Sequence, residues 1–176
     1  MRYSLSAMEG PDSFRRMTSE NQELAELLLH EEELQFLTFT NDTAWDLGCA
    51  LVDAARRDGL AVTIDIRRGE QQLFHAALPG TAANNDIWIE RKNRVVRRFG
   101  HSSFYVGTRH RIDGTDFAAS ESVEPREYAA HGGAFPIIVR EVGVVGTVAV
   151  SGLPQEDDHR LVVEVLRAVL AERSAS

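Results

Sequence analysis

The chain has 176 residues, of which 43% are apolar and 26% charged, a length that fits one domain with at most an appended arm and that buries a core without staples. A formal net charge of −8 argues against a nucleic-acid partner, because a phosphate backbone would repel the chain on average. The single cysteine, Cys49, excludes an intrachain disulfide and an all-cysteine metal site, and no stretch approaches the ~18 apolar residues of a membrane span.

Residues 1–18 mix Gly10, Pro11, serine and arginine without periodicity and read as a mobile arm. The segment Met1–Ala7 lacks the apolar core of a secretory signal, so a reducing cytoplasm is the expected location and no membrane is a partner. The domain proper is expected over 19–173. Leu24, Leu27, Leu28 and Leu34 recur at helical spacing, with Ser19 and Gln22 placed as a capping box. Leu34 to Phe39 reads as a short strand. Asn41 or Asp42 then caps a helix to about Asp58, stopped by Gly59. Ala44, Gly48, Leu51 and Ala55 share its narrow face, and small residues there allow a close approach to a sheet. Cys49 reads as one more small packed residue of this helix.

Val62, Ile64 and Ile66 alternate with Thr63, Asp65 and Arg67. Arg68-Gly69 reads as a turn and Glu70 to Leu78 as the return strand, ended by Pro79-Gly80. That register sets His75 opposite Val62 on the apolar side. A long helix follows from about Ala83 to Phe99, broken by Gly100, and Ser102 or Ser103 caps a shorter one to about His110. Residues 113–133 read as loop with at most one short strand. Phe135 to Arg140 and Val144 to Val150 form a strand pair. The second strand is apolar on both faces and is expected to be central and covered by helices. Pro154 opens the last helix, which ends near Arg173. The predicted class is α+β: a five-stranded, mostly antiparallel sheet flanked by five helices.

Charge is unevenly spread. Arg91, Lys92, Arg94, Arg97, Arg98, Arg109 and Arg111 crowd one window of an acidic chain, which points to a local anion site. Lys92 is the only lysine among 19 cations, a bias that fits genome composition. On a helical wheel Trp88, Val95 and Phe99 fall within about 40° of one another, and Lys92 within about 40° of Trp88. Lys92 is therefore inside the apolar stripe. Either its stem covers apolar surface while the ammonium reaches water, or the ammonium projects into a cleft and holds an anion, with Arg91 as a second cation in reach.

Gly132 and Gly133, before Phe135, can expose consecutive N–H groups to a ligand or simply turn the chain before a strand. Ser151 and Gly152 form a second loop, running from the central strand into the last helix. Asp158 aligns with Val162, Val165 and Val169 on that helix's buried stripe. A carboxylate there needs a partner: free backbone N–H groups, His159, or a cation such as Lys92. His30, His75, His101, His110, His131 and His159 form no HxH, HxxxH or HExxH pattern, so no metal site is expected.

Three blocks carry a resemblance: Trp88-Ile89-Glu90-Arg91-Lys92-Asn93 with Phe99 and Ser102-Ser103; His131-Gly132-Gly133-Ala134-Phe135-Pro136-Ile137; and Val150-Ser151-Gly152-Leu153-Pro154-Gln155-Glu156-Asp157-Asp158-His159. Together, across about residues 20–172, they resemble a family of small bacterial and fungal proteins. That family is grouped with the haem-degrading domain superfamily, which includes HbpS-like, GlcG-like and PduO C-terminal domains. The resemblance implies a profilin-like single domain and assembly of the chain with itself into dimers or rings of dimers. It makes haem or another tetrapyrrole a candidate ligand.

The expected site then has Lys92 and Arg91 on the propionates, and Trp88, Phe99 and Phe135 against the ring. The Gly132-Gly133 and Ser151-Gly152 loops surround it, and the axial contact comes from His75, His131 or His159. The leading functional reading is a small-molecule binding domain. The alternatives are a ring-forming interaction protein without substrate, and an enzyme on a small anionic metabolite with Asp158 and His159 as an acid/base pair. Haem degradation is a special case of the last.

Overall fold

The structure, a computed structural model, describes residues 11–175. Residues 1–10, which belong to the expected arm, lie outside the described residues. The chain folds as α1 (Pro11–Glu33), β1 (Gln35–Phe36), α2 (Asn41–Arg57), β2 (Thr63–Arg68), β3 (Gln71–Ala77), α3 (Ala83–Phe99), α4 (Ser103–Ile112), α5 (Phe117–Glu121), β4 (Ala134–Val139), β5 (Gly143–Ser151) and α6 (Gln155–Ala175). The predicted α+β class holds, with six helices in place of five. The short α5 lies in the segment read as loop, where Asp116 accepts from the backbone of Ala119 and so caps a single turn. Ser19, read as a cap, lies inside α1.

The five strands form one sheet in the order β1-β4-β5-β2-β3. Three pairs are antiparallel and β1 pairs with β4 in parallel. The apolar β5 is central, as its sequence requires. Val62, Ile64 and Ile66 of the β2 segment, Phe135 and Ile137 of β4, and Val148 and Val150 of β5 bury against α2 and α6. Leu47, Leu51 and Ala55 of α2 meet Val162 and Leu166 of α6 in this layer. Gly48 gives α2 its close approach: a Cβ there would stand 2.3 Å from the Phe74 ring of β3. Thr40, one residue before the predicted cap, accepts from Thr43 N–H at 3.1 Å and caps α2.

The opposite face is different in kind. Here α3 lies on small and polar residues, with Ile89 and Val96 against Ala134 and Ala149. Buried Asp65 accepts from Arg67 Nε (2.9 Å), Gln72 Nε2 (2.5 Å) and Asn93 Nδ2 (3.1 Å), which gives this carboxylate the donors that burial demands.

The hairpin register corrects the sequence reading. Arg68 pairs with Gln71, and an irregularity at Ile66/Arg67 leaves Leu73 without an opposite number. His75 therefore faces Asp65, where Val62 was expected, and lies on the polar side of the sheet. Among the described residues no helix is long and apolar enough to cross a membrane.

Candidate functional site

The site forms where α3, the turn before β4 and the β5–α6 loop converge. Asn85 Oδ1 takes the Ala82 N–H at the start of α3, and its amide donates to the Ser151 carbonyl at 3.2 Å, fixing α3 to the end of β5. Two turns on, Lys92 reaches under the loop and is only 4% exposed. Its Nζ donates to Asp158 Oδ2 at 2.8 Å and to the Val150 carbonyl at 3.1 Å. Asp158, in the first turn of α6, accepts the Leu153 N–H on its other oxygen at 3.0 Å. One buried ion pair thus joins α3, β5 and α6. Burial pushes the Lys92 ammonium below its ordinary range and the Asp158 carboxyl above its own; each partner's charge offsets only part of this.

Glycines permit the close packing around that pair. Gly133 has φ +125°, and a Cβ there would stand 2.6 Å from Lys92 Nζ and 2.4 Å from the Val150 carbonyl oxygen. Only glycine leaves room for the ammonium. Gly132 lies as close to α6, where a Cβ would meet the Gln155 carbonyl oxygen at 2.0 Å, and its N–H donates to Gln155 Oε1 at 3.3 Å. Gly152 passes over Ala61, whose carbonyl oxygen would be 2.1 Å from an added Cβ.

Above the pair opens a cleft of about 310 Å³, lined by Asn84, Asn85, Trp88, Lys92, His131, Ser151, Gly152, Leu153, Gln155 and Asp158. Trp88 and His131 form its aromatic edge, with ring centroids 5.5 Å apart at 88°. The Arg91 guanidinium lies over the other part of Trp88, 4.3 Å from the ring centre, and donates to the Pro125 carbonyl at 2.8 Å. Partial desolvation of the ring against the cleft wall, and then the charges of Lys92 and Arg91, hold the His131 imidazolium below its ordinary range, although the residue as a whole is exposed.

Lys92, Trp88, Ser151, Gly152, His131 and Asp158 therefore meet in one place, with Gly132 and Gly133 forming the wall behind and Arg91 at the edge. Four expected residues do not join them. Phe135 is fully buried on the α2/α6 face, because a strand's side chains alternate and Ala134 takes the α3 side. Phe99 pairs with Phe117 at 5.8 Å. The register shift puts His75 against Asp86 at 2.7 Å, outside the cleft. His159 points away from Asp158 into a dry aromatic nest of Phe104 (4.9 Å), His30 (5.9 Å) and Phe135 (6.0 Å), and neither ring nitrogen has a hydrogen-bond partner. Burial, then His30, push its pKa down to about 3, so it stays neutral and cannot couple to Asp158.

Asn84 and Asn85 are additions that helical patterning hides, since both lie in a first turn where asparagine reads only as a cap. Among the described residues no group of three or more His, Cys, Asp or Glu side chains is placed to hold a metal ion.

The chain has many relatives among known proteins. The family model described as haem degrading protein HbpS-like matches residues 39–167. A UPF0303 protein of Streptomyces coelicolor is 57% identical over 85% of this chain and 94% of its own length. One from Edwardsiella ictaluri is 48% identical over 86% and 97%. Among solved structures, the Ybr137w protein superposes with a TM-score of 0.82 at 34% identity, covering 96% of this chain and 99% of that one. The PduOC–haem complex has the same fold at a TM-score of 0.61 and 16% identity, covering 76% and 94%. From its matched residues and its close relatives, the chain belongs to the HbpS-like family of haem degrading proteins.

Proposed function

We propose that this protein is a binding domain for an anionic small molecule, with haem as the ligand its residues suit best, bound over His131. The observation that carries the reading is the position of His131. This exposed imidazole lines the Lys92 cleft and two further hollows. One, of about 510 Å³, contains Phe104, Thr108 and Arg111; the other, of about 360 Å³, contains Arg91, Arg111 and Tyr128. The Lys92 cleft alone is at the small end for a ligand site. A tetrapyrrole would need the space of more than one of the three hollows that His131 lines.

The residues fit such a group. A neutral imidazole is the form that ligates iron; Arg91, and Arg111 in its pair with Glu23, are the cations beside it that a propionate could meet, while Lys92 stays with Asp158. Trp88 offers an aromatic edge. Haem, when bound, would supply the iron chemistry. The chain's own residues orient it, neutralise its carboxylates and shield one edge from water. The family description and the haem-bound PduOC neighbour support the same ligand class. The chain is proposed as a binder rather than an enzyme because His159, the expected partner of Asp158, faces the core.

Titration of haem followed at the Soret band tests this. Wild type is expected to give a saturable shift at one equivalent, and His131→Ala to weaken it at least about tenfold, the loss of one good ligand. No shift for wild type contradicts the reading, and equal affinity of the variant removes His131 from it.

Self-association in a cytoplasmic setting is part of the proposal. The seven-residue β3 is an edge strand, and 61%-exposed Trp45 meets its Phe74 edge to face. Mass photometry is expected to find a species larger than a monomer; a monomer at micromolar concentration contradicts it.

A further inference from the structure

Of the chain's 19 cations, 18 are arginine, yet among the described residues the one Lys/Arg cation buried against a carboxylate is the single lysine. Charge alone does not call for that choice. Arginine grips a carboxylate with two parallel N–H groups and is the usual residue of buried ion pairs. What lysine has and arginine lacks is an amine that can give up its proton and attack.

The geometry around Nζ suits this use. An ammonium has three N–H groups. Two are taken, by Asp158 and by Val150. Among the described residues no acceptor takes the third. Lys92 and Asp158 both line the cleft, whose rim of Asn84, Asn85, Ser151 and Gln155 offers amide and hydroxyl groups to a small polar guest. The 2.8 Å contact to Asp158 gives the proton a place to go.

We propose that Lys92 is a nucleophilic amine that forms a reversible imine with a small polar aldehyde held in this cleft. The proposal rests on the cleft being a ligand site, but not on haem. The ammonium passes one proton to Asp158 Oδ2. The neutral amine attacks the aldehyde carbon, forming a C–N bond, and the carbonyl oxygen takes a proton to give a carbinolamine. That hydroxyl leaves as water, carrying the aldehyde oxygen and two of the three ammonium protons. The third proton remains shared between the imine nitrogen and Asp158. Nothing is oxidised or reduced. Burial pushes Lys92 and Asp158 each toward the neutral form that the first step needs.

The test uses the whole chain with glyoxylate and, separately, pyridoxal 5′-phosphate, trapped with cyanoborohydride and mapped by peptide mass. Because Lys92 is the only lysine, the chain's α-amine is the internal reference. The expected result is labelling of Lys92 at least about tenfold faster than the α-amine at pH 7, with no label at position 92 in Lys92→Arg. Label confined to the α-amine with both probes, Lys92 reacting only after unfolding, overturns the proposal.

A second readout is the pH dependence of the wild-type labelling rate. The rate is expected to level off below the ordinary lysine range. A rate climbing steadily toward the ordinary lysine range near 10 overturns it. The haem titration separates the two readings. Haem binding without labelling sinks this inference alone, whereas labelling without a Soret shift sinks the haem reading and leaves the cleft.

Discussion

Acid should destabilise this fold most strongly through His159. It is 4% exposed, its two ring nitrogens have no partner, and its pKa is pushed from 6.5 to about 3 by burial first and His30 second. The folded-state value lies below the unfolded one, so the unfolded chain binds the extra proton. The stability that depends on neutral His159 is complete above about pH 6.5 and falls as pH drops toward 3. The loss is about 1.4 kcal/mol per unit. Between pH 6.5 and 4.5 that is about 3 kcal/mol, a large share of the ~5–15 kcal/mol that holds a domain together. His30, lowered by burial and then by Arg167, acts in the same direction.

The assay is urea unfolding at pH 7 and pH 4.5 for wild type and His159→Leu. Wild type should lose about 3 kcal/mol more than the variant across this interval. At pH 7 the variant should be neutral or slightly more stable, because an unpartnered buried N–H is removed. Equal pH dependence of the two proteins would refute the reasoning.

Other substitutions probe the site and its supports. Lys92→Met strands the Asp158 carboxylate in the interior and should cost about 3–5 kcal/mol; adding Asp158→Leu should recover most of it, measured by urea unfolding as a double-mutant cycle. Gly133→Ala meets both a positive φ and the Lys92 ammonium, and should lower stability by at least about 3 kcal/mol in thermal melts. Glu31 accepts the Ser102 N–H at 2.7 Å and pairs with His101 at 2.6 Å, holding α1 to the start of α4. Glu31→Ala should cost about 2 kcal/mol in urea unfolding and raise amide exchange at 102–105.

The parts of the site legible in the sequence were those with a pattern to break. Lys92 interrupts an apolar helix stripe and Asp158 another, and two misplaced charges on buried faces imply each other. Glycines before β4 and after β5 mark close approaches, Gly133 to the ion pair and Gly152 to the Ala61 carbonyl. The β2–β3 register was not legible, because β3 is a half-exposed edge strand with weak alternation, and the irregularity at Ile66/Arg67 adds a residue that no turn motif signals. His75 was misplaced by that error alone. His159 shows a second limit. A histidine next to a buried aspartate reads as its partner, but successive helical residues point about 100° apart. Glu31, Asp65 and Asn93 are buried polar residues whose partners come from distant elements, and spacing along one element does not reveal them.

The most direct measurement of the central claim uses the single lysine. Selective Nζ-¹⁵N labelling of lysine gives one side-chain signal. Lys92 in its pair with Asp158, on the floor of a ligand cleft, should give a resonance with slow hydrogen exchange that shifts on addition of gallium protoporphyrin, a diamagnetic haem analogue. A signal with the position and rapid exchange of free lysine, unmoved by the porphyrin, would contradict the account.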